Sequence, residues 1–153
     1  MRVKVVSECN KTPSNHKGQS LIEFALILPL IVLMIAGIFD LGRAFYASIT
    51  ITNAAREGAR YGTLNFDYAP GMCKATMDEA LGSGITLDYS DVTISCFSTQ
   101  TCVDPLSGTT PSAGCTHRQP IRVTVNYLYD DMVLGFFFPG GIPMERFVEM
   151  LVP

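Results

Sequence analysis

Hydrophobic positions are spread unevenly along the chain. From Leu21 to Phe39, nineteen residues (LIEFALILPLIVLMIAGIF) hold a single charge, Glu23, and show no polar face after it. As a helix this run would rise about 28 Å, close to the roughly 30 Å hydrocarbon thickness of a bilayer. It reads as a transmembrane helix. A secretory signal fits less well, because its apolar region spans roughly 7–15 residues and ends in a small-x-small site. Ile35-Ala36-Gly37 and the residues after it offer no such site. Pro29 removes a backbone donor and frees the carbonyl of Ala25, so a kink or a melted turn is expected there.

After Asp40-Leu-Gly-Arg43 the pattern changes. Ala44 to Tyr61 lacks proline and is rich in small residues, with the ladder Ala54-x-x-x-Gly58-x-x-x-Gly62. Spacing of four places these on one helix face and allows close backbone approach. Two uses of that face stay open: a bundle of identical or related helices, or packing of the helix on its own C-terminal domain. Arg56, Glu57 and Arg60 lie between the small residues, with the acid flanked by two bases. The expected helix is about forty residues long, roughly 60 Å.

Residues 64–153 read as a small domain. Pro70-Gly71 marks a turn, and Lys74 to Leu81 a short helix ended by Gly82-Ser83-Gly84. Asp91 to Phe97 alternates as a half-buried strand, and Ile121 to Tyr127 is the clearest strand. Ser98 to Gln119 reads as a loop, broken by Pro105, Gly108, Pro111 and Gly114, and Met144 to Val152 as a last strand. The expected fold is α+β: a long N-terminal helix, then a small antiparallel sheet. The apolar stretch Met132 to Ile142 is too short and broken to span a bilayer, and is expected in the core or at a subunit contact.

Charge sets orientation and excludes some functions. The formal net charge is −3, from 11 basic and 14 acidic residues, with mean hydropathy +0.27. Without a basic excess there is no counterion release to drive nucleic-acid binding. Arg2, Lys4, Lys11 and Lys17 face one acid, Glu8, ahead of the apolar run, which predicts a cytoplasmic N-terminus and an exported C-terminal domain. Of five cysteines, Cys9 precedes the apolar run. Cys73, Cys96, Cys102 and Cys115 follow it, an even number that suits two disulfides in an oxidising compartment. Three connectivities are possible, and Cys96–Cys102 with Cys73–Cys115 is one arrangement that spacing does not single out. A metal site from Cys96, Cys102, Cys115 and His117 is disfavoured, because the usual C-x2-C pairs are missing. No cofactor is expected. His117 stands alone in a loop, and Asp130-Asp131 and Asp88/Asp91 have no basic or metal-binding companion, so no enzyme chemistry is expected.

The N-terminal residues carry a resemblance. His16-Lys17-Gly18-Gln19-Ser20-Leu21-Ile22-Glu23-Phe24 resembles a prepilin signal: a short basic leader, Gly at the cut, and Glu with an aromatic five to six residues into the mature chain. Residues 18–63, through the blocks EFALILP, DLGRAF and NAAREGARYG, resemble TadE-like pilins of the tight-adherence (Tad) pilus. The resemblance implies a leader 1–18 cut between Gly18 and Gln19 by a prepilin peptidase, a transmembrane and stalk helix 19–63, and an exported domain 64–153. It implies a minor pilin or assembly factor in the cytoplasmic membrane, and in a pilus serving adhesion and biofilm formation. Its partners would be other pilin subunits, the Tad assembly machinery and the lipid bilayer. Glu23 and Phe24 are the implied processing and assembly residues, with Glu23 paired to the new Gln19 amine of a neighbouring subunit. The plainer alternative for Glu23 is that it sits in the first helical turn, where the dipole favours an acid. Two other readings of the chain stand beside this one: a single-pass envelope protein whose exported domain binds a ligand or partner, and a pseudopilin of a type II-like secretion system.

Overall fold

The structure is a computed structural model that describes residues 17–96, 99–103, 115–130, 135 and 140–153. It divides into two compact units, Met1–Ile35 and Ala36–Pro153. One helix, α1 (Lys17–Leu64), runs from the first into the second.

In the first unit the described residues are helical, and every side chain described from Gly18 to Ile35 is exposed. Gly18–Leu64 is long and apolar enough to cross a membrane; its most apolar window has mean hydropathy 2.7 and no buried residue. Pro29 lies inside α1 without ending it. The turn is therefore not melted: the helix keeps its hydrogen bonds on either side of the one that proline cannot donate.

In the second unit α1 becomes one-sided. Ala47, Ile51, Ala54, Ala55 and Ala59 are buried, while Phe45, Ile49 and Arg56 are exposed. The buried face meets α2 (Ala69–Gly82) and the sheet. Helix α2 starts five residues before the expected Lys74, and Pro70-Gly71 is its first turn rather than a loop turn. A proline there forfeits only a donor that a helix start leaves unpaired, and its fixed φ suits the helix. The helix closes at Gly84, whose φ of 83° suits glycine and whose N–H donates to Leu81 O at 2.9 Å.

Four strands, β1 (Val92–Ser95), β2 (Thr99–Thr101), β3 (Pro120–Tyr129) and β4 (Ile142–Leu151), form one antiparallel sheet in the order β2-β1-β3-β4. The α+β arrangement expected from the sequence is the one observed. Alternation assigns the faces: Ile121, Val123, Val125 and Tyr129 of β3 are buried, and Val125 and Val123 pair with the buried Val92 and Ile94 of β1. On the opposite face Arg122 bonds Glu149 across the β3–β4 pair at 2.6 Å and lies over the Phe147 ring at 4.6 Å. Strand β2 falls in the segment read as loop. Its three polar residues carry no hydrophobic alternation, and only pairing with β1 (Thr93↔Thr101, Ser95↔Thr99) makes them a strand. Strand β1 is shorter than expected, and Phe97 and most of the apolar stretch from Met132 lie outside the described residues. The chain end is tied to the start of β3: Val152 is fully buried, and its N–H donates to Gln119 O at 3.0 Å.

Candidate functional site

Two groups of residues on α1, together with the four cysteines, carry the functional readings. Gly18, Gln19, Glu23 and Phe24 lie in the first two turns of α1, all exposed. A side chain at Gly18 would meet nothing within 4 Å. Gln19 and Glu23 are spaced i, i+4 and share a helix face. Glu23 is not in the first turn, which contains no acid. The dipole account of this carboxylate is thereby weakened, since that stabilisation falls off within the first turn.

The second group is buried. A Cβ at Gly58 would collide with the Thr76 hydroxyl and stand 3.1 Å from the Met72 carbonyl oxygen; at Gly62 it would stand 3.0 Å from Ile121 Cδ1 and from Met72 Sδ. Thr76 is itself fully buried and donates to Met72 O at 2.9 Å, so its hydroxyl is satisfied within α2 while it fills the space above Gly58. Ala54, Gly58 and Gly62 thus form the face on which α1 receives α2 and β3. Of the two uses left open for the ladder, the second unit takes the intramolecular one.

Polar groups flank this face. Arg60 holds Glu57 through both guanidinium and carboxylate forks at 2.9 Å. That hydrogen bond, more than the charge itself, lowers the Glu57 pKa from its ordinary 4.5 and raises that of Arg60. Among the described residues Glu57 is therefore paired with one of its two flanking arginines. Arg146 on β4 donates from Nη2 to Ser48 Oγ at 2.9 Å, linking the edge strand to the helix. Nothing in the local sequence marks this contact, because the partners are 98 positions apart. Asp40, the first charge after the apolar run, is 8% exposed, a second feature that local pattern does not foretell.

The cysteines pair as Cys73–Cys102 and Cys96–Cys115, with Cα separations of 5.9 and 5.3 Å. The illustrative pairing Cys96–Cys102 and Cys73–Cys115 is corrected by the hairpin. Cys102 donates its N–H to Val92 O at 2.9 Å, so it sits opposite the start of β1, whereas Cys96 follows the end of β1. Four residues of extended strand put roughly 13 Å between those positions, beyond the reach of a disulfide. Helix α2 packs on β1 and brings Cys73 to Cys102 instead.

Residues 18–60 match the family model of TadE-like proteins. Along that helix the chain is similar to TadE-like proteins. The match contains Gly18, Gln19, Glu23, Phe24, Ala54 and Gly58, and stops short of Gly62 and of the disulfide-bonded domain. No curated protein and no solved structure matches the chain. The similarity to TadE-like proteins therefore rests on the helix, and the domain is read from its own geometry.

Proposed function

We propose that this protein is a TadE-like minor pilin or assembly factor of a Tad-type pilus, made as a prepilin and cut between Gly18 and Gln19. The observation that carries the reading is the first part of α1, apolar and exposed on every side, with one carboxylate at Glu23. Such a surface is stable only in lipid or among other apolar helices. Leader residues 1–18 stay in the cytoplasm, Leu21 to Phe39 crosses the inner membrane, and the disulfide-bonded domain is exported. Adhesion and biofilm formation follow from a place in the pilus.

Glu23 gives the assembly step its chemistry. A charge inside a membrane costs about 2.5–3.5 kcal/mol on insertion scales. Cleavage creates an α-amino group at Gln19, and pairing that amine of one subunit with Glu23 of the next offsets the cost in the filament but not in the lone subunit. The pair also fixes the axial register between neighbours.

Intact mass of the protein from its native membranes tests the processing step, with Gly18→Ala as the control. A mass matching residues 19–153, lost in the control, is the expected result. The full-length mass in both leaves a single-pass envelope protein. Glu23→Ala should still be cut yet fail to enter filaments, and normal incorporation would overturn the assembly role.

A further inference from the structure

The exported domain has a cleft that the pilus reading does not use. It holds about 510 Å³ and is lined by the end of α1, the turn before α2, one face of α2 and the segment leading to β1. Every lining residue belongs to the second unit. Three tyrosines, Tyr61, Tyr68 and Tyr89, surround it. Gly71 explains how two of them come together: a Cβ there would collide with the Tyr61 ring and stand 2.6 Å from Tyr68 Cδ1, so both rings lie against bare helix backbone. Glycine inside a helix costs about 0.5–1 kcal/mol relative to alanine, and this close approach is what it allows.

The lining has both apolar and hydrogen-bonding character. Tyr68 is 53% exposed, so its ring is open to a guest. None of the three phenol hydroxyls has a hydrogen-bond partner among the described residues. Among the described residues the only charged groups lining the cleft are Lys74 and Asp78, an exposed pair at 2.6 Å. Their charges cancel, which gives neither an anion nor a cation an advantage.

We propose that this cleft binds a neutral carbohydrate, with a sugar ring stacked on Tyr68 and its hydroxyls shared between the phenols and the Lys74–Asp78 pair. A pyranose has an apolar C–H face bounded by hydroxyls that both donate and accept. The cleft offers the complement: flat aromatic faces, three phenols that do both, an ammonium that only donates and a carboxylate that only accepts. A proline-rich peptide also docks on aromatic grooves. Its prolines lack N–H groups, however, and would donate nothing to the phenol oxygens or to the Asp78 oxygen that Lys74 leaves open. The volume suits a small ligand rather than a protein surface. The inference is independent of leader cleavage and of filament assembly.

The test uses the full chain in lipid nanodiscs, which avoids sugar-based detergents. Saturation-transfer NMR with lactose, cellobiose, maltose and mannobiose, followed by titration of any binder, reads the affinity. At least one disaccharide should bind, with Tyr68→Ala weakening it roughly tenfold, as expected for loss of one stacking aromatic. Asp78→Asn should weaken it by a smaller factor, and Arg122→Ala, on the outer sheet face, should leave it unchanged. A thermal melt confirms that each variant is folded. Three results would overturn the proposal: no binding by any of the four sugars, affinity unmoved by both cleft substitutions, or Tyr68-dependent binding of a proline-rich decapeptide in place of the sugars.

Discussion

The two stretches of α1 obey different rules although they are one continuous helix. From Gly18 to Ile35 the helix is apolar on all sides, and no side chain there is buried. From Ala47 to Gly62 its buried face is small, mostly alanine and glycine, and its exposed face carries Asn53, Arg56 and Arg60. The first stretch is built for a solvent that the protein does not itself supply. The second is built to let another helix of the same chain approach closely. A glycine therefore means different things in each part. Gly18 has open space where a side chain would be, as does Gly42 in the helix between the two stretches, whereas Gly58 has Thr76 and Met72.

Substitutions at these positions break or sharpen that contrast. The largest effect is expected at Gly58→Leu, which drives a side chain into α2. Overpacking a buried contact costs 1–3 kcal/mol or more, and here about 3 kcal/mol is expected, a fall in Tm of roughly 10 °C. Gly42→Ala is the internal control and should leave Tm unchanged or slightly raised, by the loss of glycine's entropic cost of about 0.5–1 kcal/mol. Equal destabilisation at the two glycines would mean that the close approach of α2 at Gly58 sets it apart from no open helical glycine.

Comparable in size is Leu30→Arg, in the exposed apolar stretch. It should cost about 2.5–3.5 kcal/mol of membrane insertion while the melting of the exported domain stays where it was. Membrane fractionation and a thermal melt of the same preparation separate the two. A lowered Tm with intact membrane retention would mean that the stretch packs on protein instead.

The disulfides belong wholly to the packed half. Replacing Cys73 and Cys102 by serine should cost about 2–3 kcal/mol, and the Cys96/Cys115 double variant slightly less, because it closes the shorter loop, 19 residues against 29. Peptide mapping without reduction should recover Cys73 with Cys102 and Cys96 with Cys115. A Cys96–Cys102 peptide would contradict the hairpin register.

The smallest effect is expected at Glu57→Gln. The Glu57 pKa is depressed, so its pair with Arg60 contributes fully above the unfolded value near 4.5 and is lost as pH falls through the lower folded value. Arg60 is largely exposed and Glu57 partly so, and solvent screens the pair, so the variant should lower Tm at pH 7 by no more than about 2 °C. Below the folded-state pKa the difference between variant and parent should vanish. A difference that grew on acidification would reverse the sign of the linkage.

Much of the architecture was legible before any tertiary contact was considered. The apolar run, the Gly18–Glu23 spacing and the small-residue ladder are local patterns, and local patterns survive translation into a helix. Strand β3 is visible from its alternation, and the last strand read over Met144 to Val152 overlaps β4. What local pattern missed has a common cause. Strand β2 has no period of its own, Pro70-Gly71 belongs to a helix start instead of a turn, and the Arg146–Ser48 contact joins distant positions. The aromatic cleft is of the same kind. Tyr61, Tyr68 and Tyr89 are scattered over 29 positions of sequence, and only the packing of α1, α2 and the segment before β1 brings them around one space.

The sequence by itself determined that this protein has an apolar N-terminal helix with a lone carboxylate, a face of small residues further along it, and a disulfide-linked sheet domain. Those follow from composition and period, which act on neighbouring residues through rotamer, backbone and solvent preferences. Tertiary structure alone decided which surface the ladder serves, which cysteines meet and which tyrosines share a cleft. Each of those is a choice among partners far apart in the chain. It is made by which whole elements bury their apolar faces together, a property of the folded domain that no single stretch of residues contains.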